Sequence, residues 1–485
     1  MFALAKHSDT QPRVWPLLLA LSALLSLIYS AIIPPFQSPD ETTHLERAYL
    51  LSRGHILLTS INGSASGGYI DEGLERYMDQ FLPLKGSAAK KITQAELASA
   101  QSIQWAHREV FRTPVVAAYY LPLSYLPHAC GLLLGQTLHL SVNQSYRLAR
   151  LFALLCSTAC IALACAIWPP SAAALAVLCL PMNVFLSATA VLDPMTTALT
   201  CVALATFLKM ANTGASASYW LYPLHVISVC LVSGCRAHML PLLILPFIAC
   251  FFLAKPRYLI AAFLSLISIF AWTLFTIKTT VYPPGEVHPD HAMRLVYFLT
   301  HPIALYHMIS ATLTDPGHLD FYYTTFIGNL GWLDTPLPSS LYFCVSVAVI
   351  LSIVLSTSLG PTAEQRIAAA TLLVISLSAV FLVFLALLVQ WTSEHATTID
   401  GVQGRYFTIP CLCLVYALTM SAPAKAPIRF ALSHGILLIM LFSSGYTTTK
   451  TLLLRYHTVV TANQPAAPSI RLADSCSYPL PPLFA

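Results

Sequence analysis

About a dozen apolar runs, each close to the ~20 residues that span a ~30 Å hydrocarbon core, leave this 485-residue chain few folds to choose from. They lie at 14–33, 115–136, 148–167, 171–190, 194–211, 219–235, 237–254, 258–277, 339–359, 366–391, 405–420 and 428–446. Backbone inside lipid must satisfy its own N–H and C=O groups, so such runs fold as helices. With 57% hydrophobic and 9% charged residues, the chain reads as an all-α, polytopic membrane protein. One transmembrane domain fills 1–450, and a short polar tail follows at 451–485. The net charge of +5 comes from basic residues scattered at the ends of apolar runs, which gives no support to nucleic acid as a partner. Most of the 13 Cys sit inside apolar runs as small hydrophobes and outline neither a disulfide framework nor a metal signature.

The run 14–33 follows Lys6 and Arg13, is long for the apolar part of a signal peptide, and ends in Ile33-Pro34-Pro35, a poor cleavage site. It reads as a retained signal anchor with its amino end in the cytoplasm. The run 115–136 decides the orientation of everything after it. If it crosses, Lys209, Lys255, Arg257, Arg366, Lys425 and Arg429 all fall outside, against the positive-inside tendency. If it is interfacial or re-entrant, all six join Lys6 and Arg13 in the cytoplasm. Pro122 and Pro127 break the run, and Tyr119, Tyr120 and Tyr125 suit an interface, so the second arrangement is expected, with about 11 crossings. Arg147 and Arg150 then lie on the far side, which is the cost of that arrangement. The expected location is a bacterial inner (plasma) membrane, with external loops 34–147 and 278–338 holding surface helices and a vestibule.

Charges are scarce, so where they gather matters. Ser38-Pro39-Asp40-Glu41-Thr42-Thr43-His44-Leu45-Glu46-Arg47 packs five ionisable groups directly behind the first apolar run. Ser38 or Asp40 could cap a helix starting near Glu41, which would make the segment ordinary loop polarity. A carboxylate pair where a membrane helix meets water can equally act as a general base or metal ligand. In the expected topology Asp40, Glu41 and His44 share the extracytoplasmic face with Asp193, Arg236, Glu394, His395 and Asp400. Asp193 and Arg236 stand in turns between apolar helices, where an ionisable group costs ~2.5–3.5 kcal/mol if drawn to mid-bilayer and usually serves a function or an interface.

Three segments carry a resemblance to a known family. They are Pro39-Asp40-Glu41 with His44 and Arg47-Ala48-Tyr49, then Gly331-Trp332-Leu333-Asp334-Thr335-Pro336-Leu337-Pro338, and then Gly401-Val402-Gln403-Gly404-Arg405-Tyr406-Phe407. In this order, over roughly 14–450, the chain resembles the membrane-protein family catalogued as domain of unknown function 2142, whose members are similar to GT-C glycosyltransferases. The resemblance implies a transferase that takes a sugar from a polyprenyl-phosphate donor on the extracytoplasmic side and passes it to a glycan, lipid or protein acceptor of the cell envelope. It implies a catalytic role for Asp40, with Glu41 beside it, and substrate contacts from His44, Arg47, Asp193, Arg236, Trp332, Asp334, Gln403 and Arg405. The tail lacks the soluble domain many GT-C enzymes use for acceptors.

The residue types suit that chemistry. Sugar transfer from a polyprenyl phosphate needs a base for the acceptor hydroxyl and cations for the leaving phosphate. Asp40 is the candidate base, acting by direct displacement with inversion. Arg236 and Arg405 offer planar forks that match phosphate oxygens. A divalent metal on Asp40, Glu41 and His44, with a third element supplied by His288, His291, His318 or Asp193, is compatible with helical spacing. Trp332, Tyr322, Tyr323 and Trp391 are either sugar-stacking rings or interface anchors. No Gly-rich phosphate loop is present, so a nucleotide sugar is not expected. The alternative reading is a lipid-linked oligosaccharide transporter or polymerase accessory without transfer chemistry, which would tend to show internal repeats and charges buried within helices.

Overall fold

The computed structural model describes residues 14–282, 291–358, 360–393, 395–420 and 427–457. The expectations attached to Lys6, Arg13, His288, Glu394, Lys425 and the tail beyond 457 lie outside the described residues.

Helix α1 (Trp15–Ile32) opens the chain and ends before Pro34-Pro35. A lobe of short elements follows: α2 (Glu41–Ser52), β1 (Gly68–Asp71), α3 (Glu72–Phe81), α4 (Gln94–Ser102), β2 (Glu109–Arg112) and α5 (Leu126–Thr137). The strands pair antiparallel, with Gly68 opposite Arg112 and Asp71 opposite Glu109. The lobe has its own core of Leu45, Leu50, Ile70, Tyr77, Phe81 and Leu132, closed by Tyr146 from the first helix of the main bundle.

That bundle comprises α6 (Val142–Ile167), α7 (Ala172–Leu178), α8 (Pro181–Ser187), α9 (Asp193–Thr213), α10 (Leu221–Ser233), α11 (Leu245–Leu253) and α12 (Tyr258–Thr279). It continues with α13 (His291–Thr300), α14 (Pro302–Thr314), α15 (Pro316–Ile327), a small pair of strands β3 (Asn329–Leu330) and β4 (Thr335–Pro336), then α16 (Ser339–Ser356), α17 (Ala363–Gln390), α18 (Thr408–Leu418) and α19 (Pro427–Tyr456). Helix α6 packs against α5, α9 and α1, while α9 lies on α10, α17 on α18, and α16 on α19.

Among the described residues seven helices are long and apolar enough to cross a membrane: α1, α6, α9, α12, α16, α17 and α19. Their outer faces carry bare hydrocarbon, such as Ile260, Phe263 and Ile267 on α12 and Ile439 and Phe442 on α19, an exposure that suits lipid and not water. The other four expected crossings are short or broken. The 171–190 run splits at Pro181 into α7 and α8, and α10 has 13 residues. Pro241 sits in a 3₁₀ stretch, Ala237–Ile244, ahead of α11, and a 3₁₀ turn at Gly404–Phe407 precedes α18. Irregular backbone at membrane depth survives only where protein or a polar cavity surrounds it. These breaks surround the charged residues described next.

The 115–136 run is also broken. It forms 3₁₀ turns at Val115–Tyr119 and Pro122–Tyr125 and then α5, whose 12 residues reach about 18 Å, short of a crossing. Arg150, which weighed against a non-crossing segment, is no topology signal: it is buried on α6 against Glu41, with Nη2 3.0 Å from Oε1.

Candidate active site

Pro34 to Pro39 fold tightly under the end of α1, and Asp40 then takes a left-handed conformation, φ +63°, at the start of α2. Asp tolerates this region better than most residues. The expected helix cap is absent: neither Ser38 nor Asp40 bonds a first-turn N–H through its side chain, and Ser38 Oγ instead donates to Glu41 Oε2 at 3.2 Å. The left-handed turn sends two adjacent carboxylates in opposite directions.

Asp40 stands at a solvent-facing recess, its carboxylate half exposed. Arg405 Nη2 donates to Asp40 Oδ2 at 2.6 Å, while Arg405 Nη1 lies 3.6 Å from Asp193 Oδ2. Arg236 Nη2 reaches the same Asp193 oxygen at 2.9 Å. These last two groups touch without hydrogen-bond alignment, so each keeps an unfilled valence in a buried place. Burial would raise the Asp40 carboxyl, but the charges of Arg405 and His44 and the Arg405 hydrogen bond outweigh it and hold Asp40 below the usual carboxylate range. Two carboxylates and two guanidiniums from four distant parts of the chain thus form one alternating chain of charge, Asp40, Arg405, Asp193, Arg236.

A family model described as predicted membrane protein (DUF2142) matches residues 23–415, a region that contains all four of these residues. The chain belongs to the DUF2142 family. No curated protein and no solved structure matches it.

The other DUF2142 motif residues fall around this chain of charge in distinct positions. Glu41 is fully buried and takes hydrogen bonds from Arg150, from Tyr146 Oη at 2.7 Å and from the Ala190 N–H at 2.8 Å. No lone pair is left for a substrate, and the group ties α2 to α6 and to the segment before α9. His44, one turn along α2, is buried, with Nδ1 2.7 Å from Tyr125 Oη and its ring stacked 6.0 Å from Tyr120. Burial, outweighing the pull of Asp40 and Asp193, lowers its pKa to about 4, so the imidazole is neutral at neutral pH. Arg47 is buried and donates to the carbonyls of His55 and Ile56, closing the chain beyond α2.

The second motif builds one wall of the recess. Trp332 Nε1 donates to the Phe36 carbonyl at 2.9 Å, and Lys85 Nζ sits 3.7 Å above the Trp332 ring. Asp334 accepts from Arg455 Nη2 at 3.0 Å; the same Nη2 and Nη1 donate to the carbonyls of Leu84 and Lys90. Asp334 is therefore an anchor for the loop that carries Lys85. In the third motif Gln403 Oε1 accepts from Arg405 Nε at 2.6 Å and fixes the guanidinium plane. Gly404 is required by close approach, since a Cβ there would lie 2.0 Å from the Tyr322 carbonyl oxygen on α15.

Lys85 joins this site without any local sequence signal, while Tyr406 comes from the third motif and Tyr120 from the broken 115–136 run. Lys85 stands near enough to Asp40 to feel its charge; partial burial nonetheless lowers its pKa. Arg236 lies 5.8 Å over the Tyr120 ring. A narrow cavity of about 10 Å³, room for about one water, is lined by Asp193, Arg236, His238, Arg405 and Tyr406. It shares Asn183, Leu186, Asp193 and Thr197 with a larger, mostly apolar cavity of about 60 Å³ between α1, α6, α7, α8 and α9. As for metals, no group of three His, Cys, Asp or Glu among the described residues is placed to hold one, because Asp40 and Asp193 face arginines and His44 faces Tyr125. Tyr323 and Trp391 lie outside the lining of both cavities, and so does Tyr322.

Proposed function

We propose that this chain is an integral-membrane glycosyltransferase that moves a sugar from a polyprenyl-phosphate donor to a hydroxyl acceptor of the cell envelope, on the extracytoplasmic face. The observation that carries this reading is an apolar cavity among membrane helices that shares four lining residues with a pocket lined by two arginines. A prenyl chain needs the first and its phosphate the second.

In this mechanism the donor phosphate lies against Arg236 and Arg405, whose forks neutralise charge as the anomeric C–O bond breaks. Asp40 takes the proton of the acceptor hydroxyl while that oxygen forms the new bond to the anomeric carbon from the opposite face. The bonding pair leaves with the phosphate, which departs as polyprenyl phosphate, and the anomeric centre inverts. Arg405 links the two halves of the reaction. With no donor bound it pairs with Asp40 and depresses its basicity; a phosphate that competes for the guanidinium releases the carboxylate and makes it a better base only when donor is in place. Glu41 holds the frame in this scheme and touches no substrate.

The test is transfer of radiolabel from a polyprenyl-phosphate sugar in membrane vesicles containing the protein. Transfer should require the wild-type chain and stop with Asp40→Asn. Movement of lipid-linked sugar across the bilayer, unchanged in Asp40→Asn and without any new glycosidic bond, would establish the transporter reading instead.

A further inference from the structure

We infer that the cleft at the far end of α2 is a binding site for a neutral oligosaccharide. The cleft, of about 400 Å³, opens between the end of α2, the loop 104–109 and the end of α5. Tyr49 and Trp105 lie in it as parallel rings, 5.8 Å apart at 19°. The Trp105 indole N–H donates to Ser145 Oγ at 3.3 Å, which holds the plate in place. Around the plate stand Gln104, Gln136, His139, Glu109 and Arg53.

An aromatic plate ringed by planar amides and imidazoles, with one guanidinium and two carboxylates, is the lining a sugar asks for. The C–H face of a pyranose rests on a ring, and its hydroxyls pair with side chains that both donate and accept. An anionic ligand is disfavoured, because Arg53 is the single fixed cation of the lining against Asp71 and Glu109.

The walls are set before any ligand arrives. Asp71 accepts from the N–H groups of Gly73, Ala106 and His107 at 2.7, 2.9 and 2.8 Å and so fastens the 104–107 loop to α3. His107 and His139, both lining the cleft, each hold a left-handed backbone at φ +53°. Strain of this kind persists where the surroundings over-determine it. Tyr49 follows Asp40 by nine residues, about 14 Å at ~1.5 Å per residue, and lies on the opposite side of α2.

Isothermal titration of the full-length protein in nanodiscs with cellotetraose, maltotetraose and N-acetylchitotetraose tests the site. At least one should bind saturably. Affinity should fall roughly tenfold in Trp105→Ala, stay close to wild type in Trp105→Phe, and be untouched in Asp40→Asn. His139→Asn, which keeps the left-handed backbone at the cleft wall, should also weaken binding and guards against a folding defect in Trp105→Ala. No saturable binding of any of the three, or equal affinity in Trp105→Ala and His139→Asn, overturns the site. Saturable, Trp105-dependent binding by a chain that transfers no sugar supports the cleft and removes the transferase reading.

Discussion

Asp40 Oδ2 and Arg405 Nη2 lie 2.6 Å apart although 365 residues separate them in the chain. The pair joins a half-exposed carboxylate to a buried guanidinium, so only one of the two faces the recess.

Asp40→Asn keeps the shape and loses the base. Transfer activity should drop by about 10²–10⁴-fold, the ordinary contribution of a general base, with no change in the gel-filtration profile. Retention of more than a tenth of wild-type activity would remove Asp40 from the mechanism.

Glu41→Gln should do the opposite. It leaves Arg150 as a buried charge without its partner, a loss on the order of 3–5 kcal/mol, so the variant should show a lower thermal midpoint and poor yield. The activity of each correctly folded molecule should stay near wild type. An unchanged melting curve with abolished activity would return Glu41 to the chemistry.

Arg405→Lys preserves charge but not the fork that spans Gln403, Asp40 and Asp193. The proposed mechanism, in which the guanidinium acts most strongly on the departing phosphate, predicts a fall in kcat with a lesser change in KM. Kinetics with a defined polyprenyl-phosphate sugar measure the split; a rise in KM alone would make Arg405 a binding residue only.

His44 supplies a pH dependence of stability. Its pKa in the folded protein is lowered from 6.5 to about 4, so between these values the unfolded chain binds a proton that the native state refuses. Its contribution is intact above about pH 6.5 and is lost as pH falls towards about 4, in total on the order of 3 kcal/mol. Thermal melts of the detergent-solubilised protein should fall across that window, and less so in His44→Asn. Identical slopes for the two proteins would contradict the buried neutral imidazole.

The apolar cavity can be filled with Thr158→Trp, from α6. A donor with a full-length polyprenyl chain should then lose kcat/KM, while a short geranyl-phosphate donor should be used as well as by wild type. Equal losses for both donors would mean that the chain lies elsewhere.

How much of this was legible in the sequence differs from residue to residue. Asp40, Asp193, Arg236 and Arg405 stood out because charge is rare here and each interrupts or borders an apolar run. Pro181 and Pro241 announced the broken helices, but run lengths near twenty concealed them, and the crossing-length helices among the described residues are seven where about 11 crossings were expected. Which of Asp40 and Glu41 faces the recess depends on a single positive φ that no pattern in Pro39-Asp40-Glu41 encodes. Arg150 misled the charge count because its counter-ion comes from another helix. Lys85 sits in an ordinary polar loop, and the Asp334–Arg455 anchor, built from two later parts of the chain, brings it over Trp332.

The four-residue chain of charge also sets an order of assembly. During synthesis Asp193 and Arg236 emerge close together and can neutralise each other early, but Asp40 must enter with the first helix and wait for Arg405, which arrives after α17. Until Arg405 is in place, the Asp40 carboxylate lacks the guanidinium that pairs with it in the folded protein, so the recess is the last part of the site to be completed.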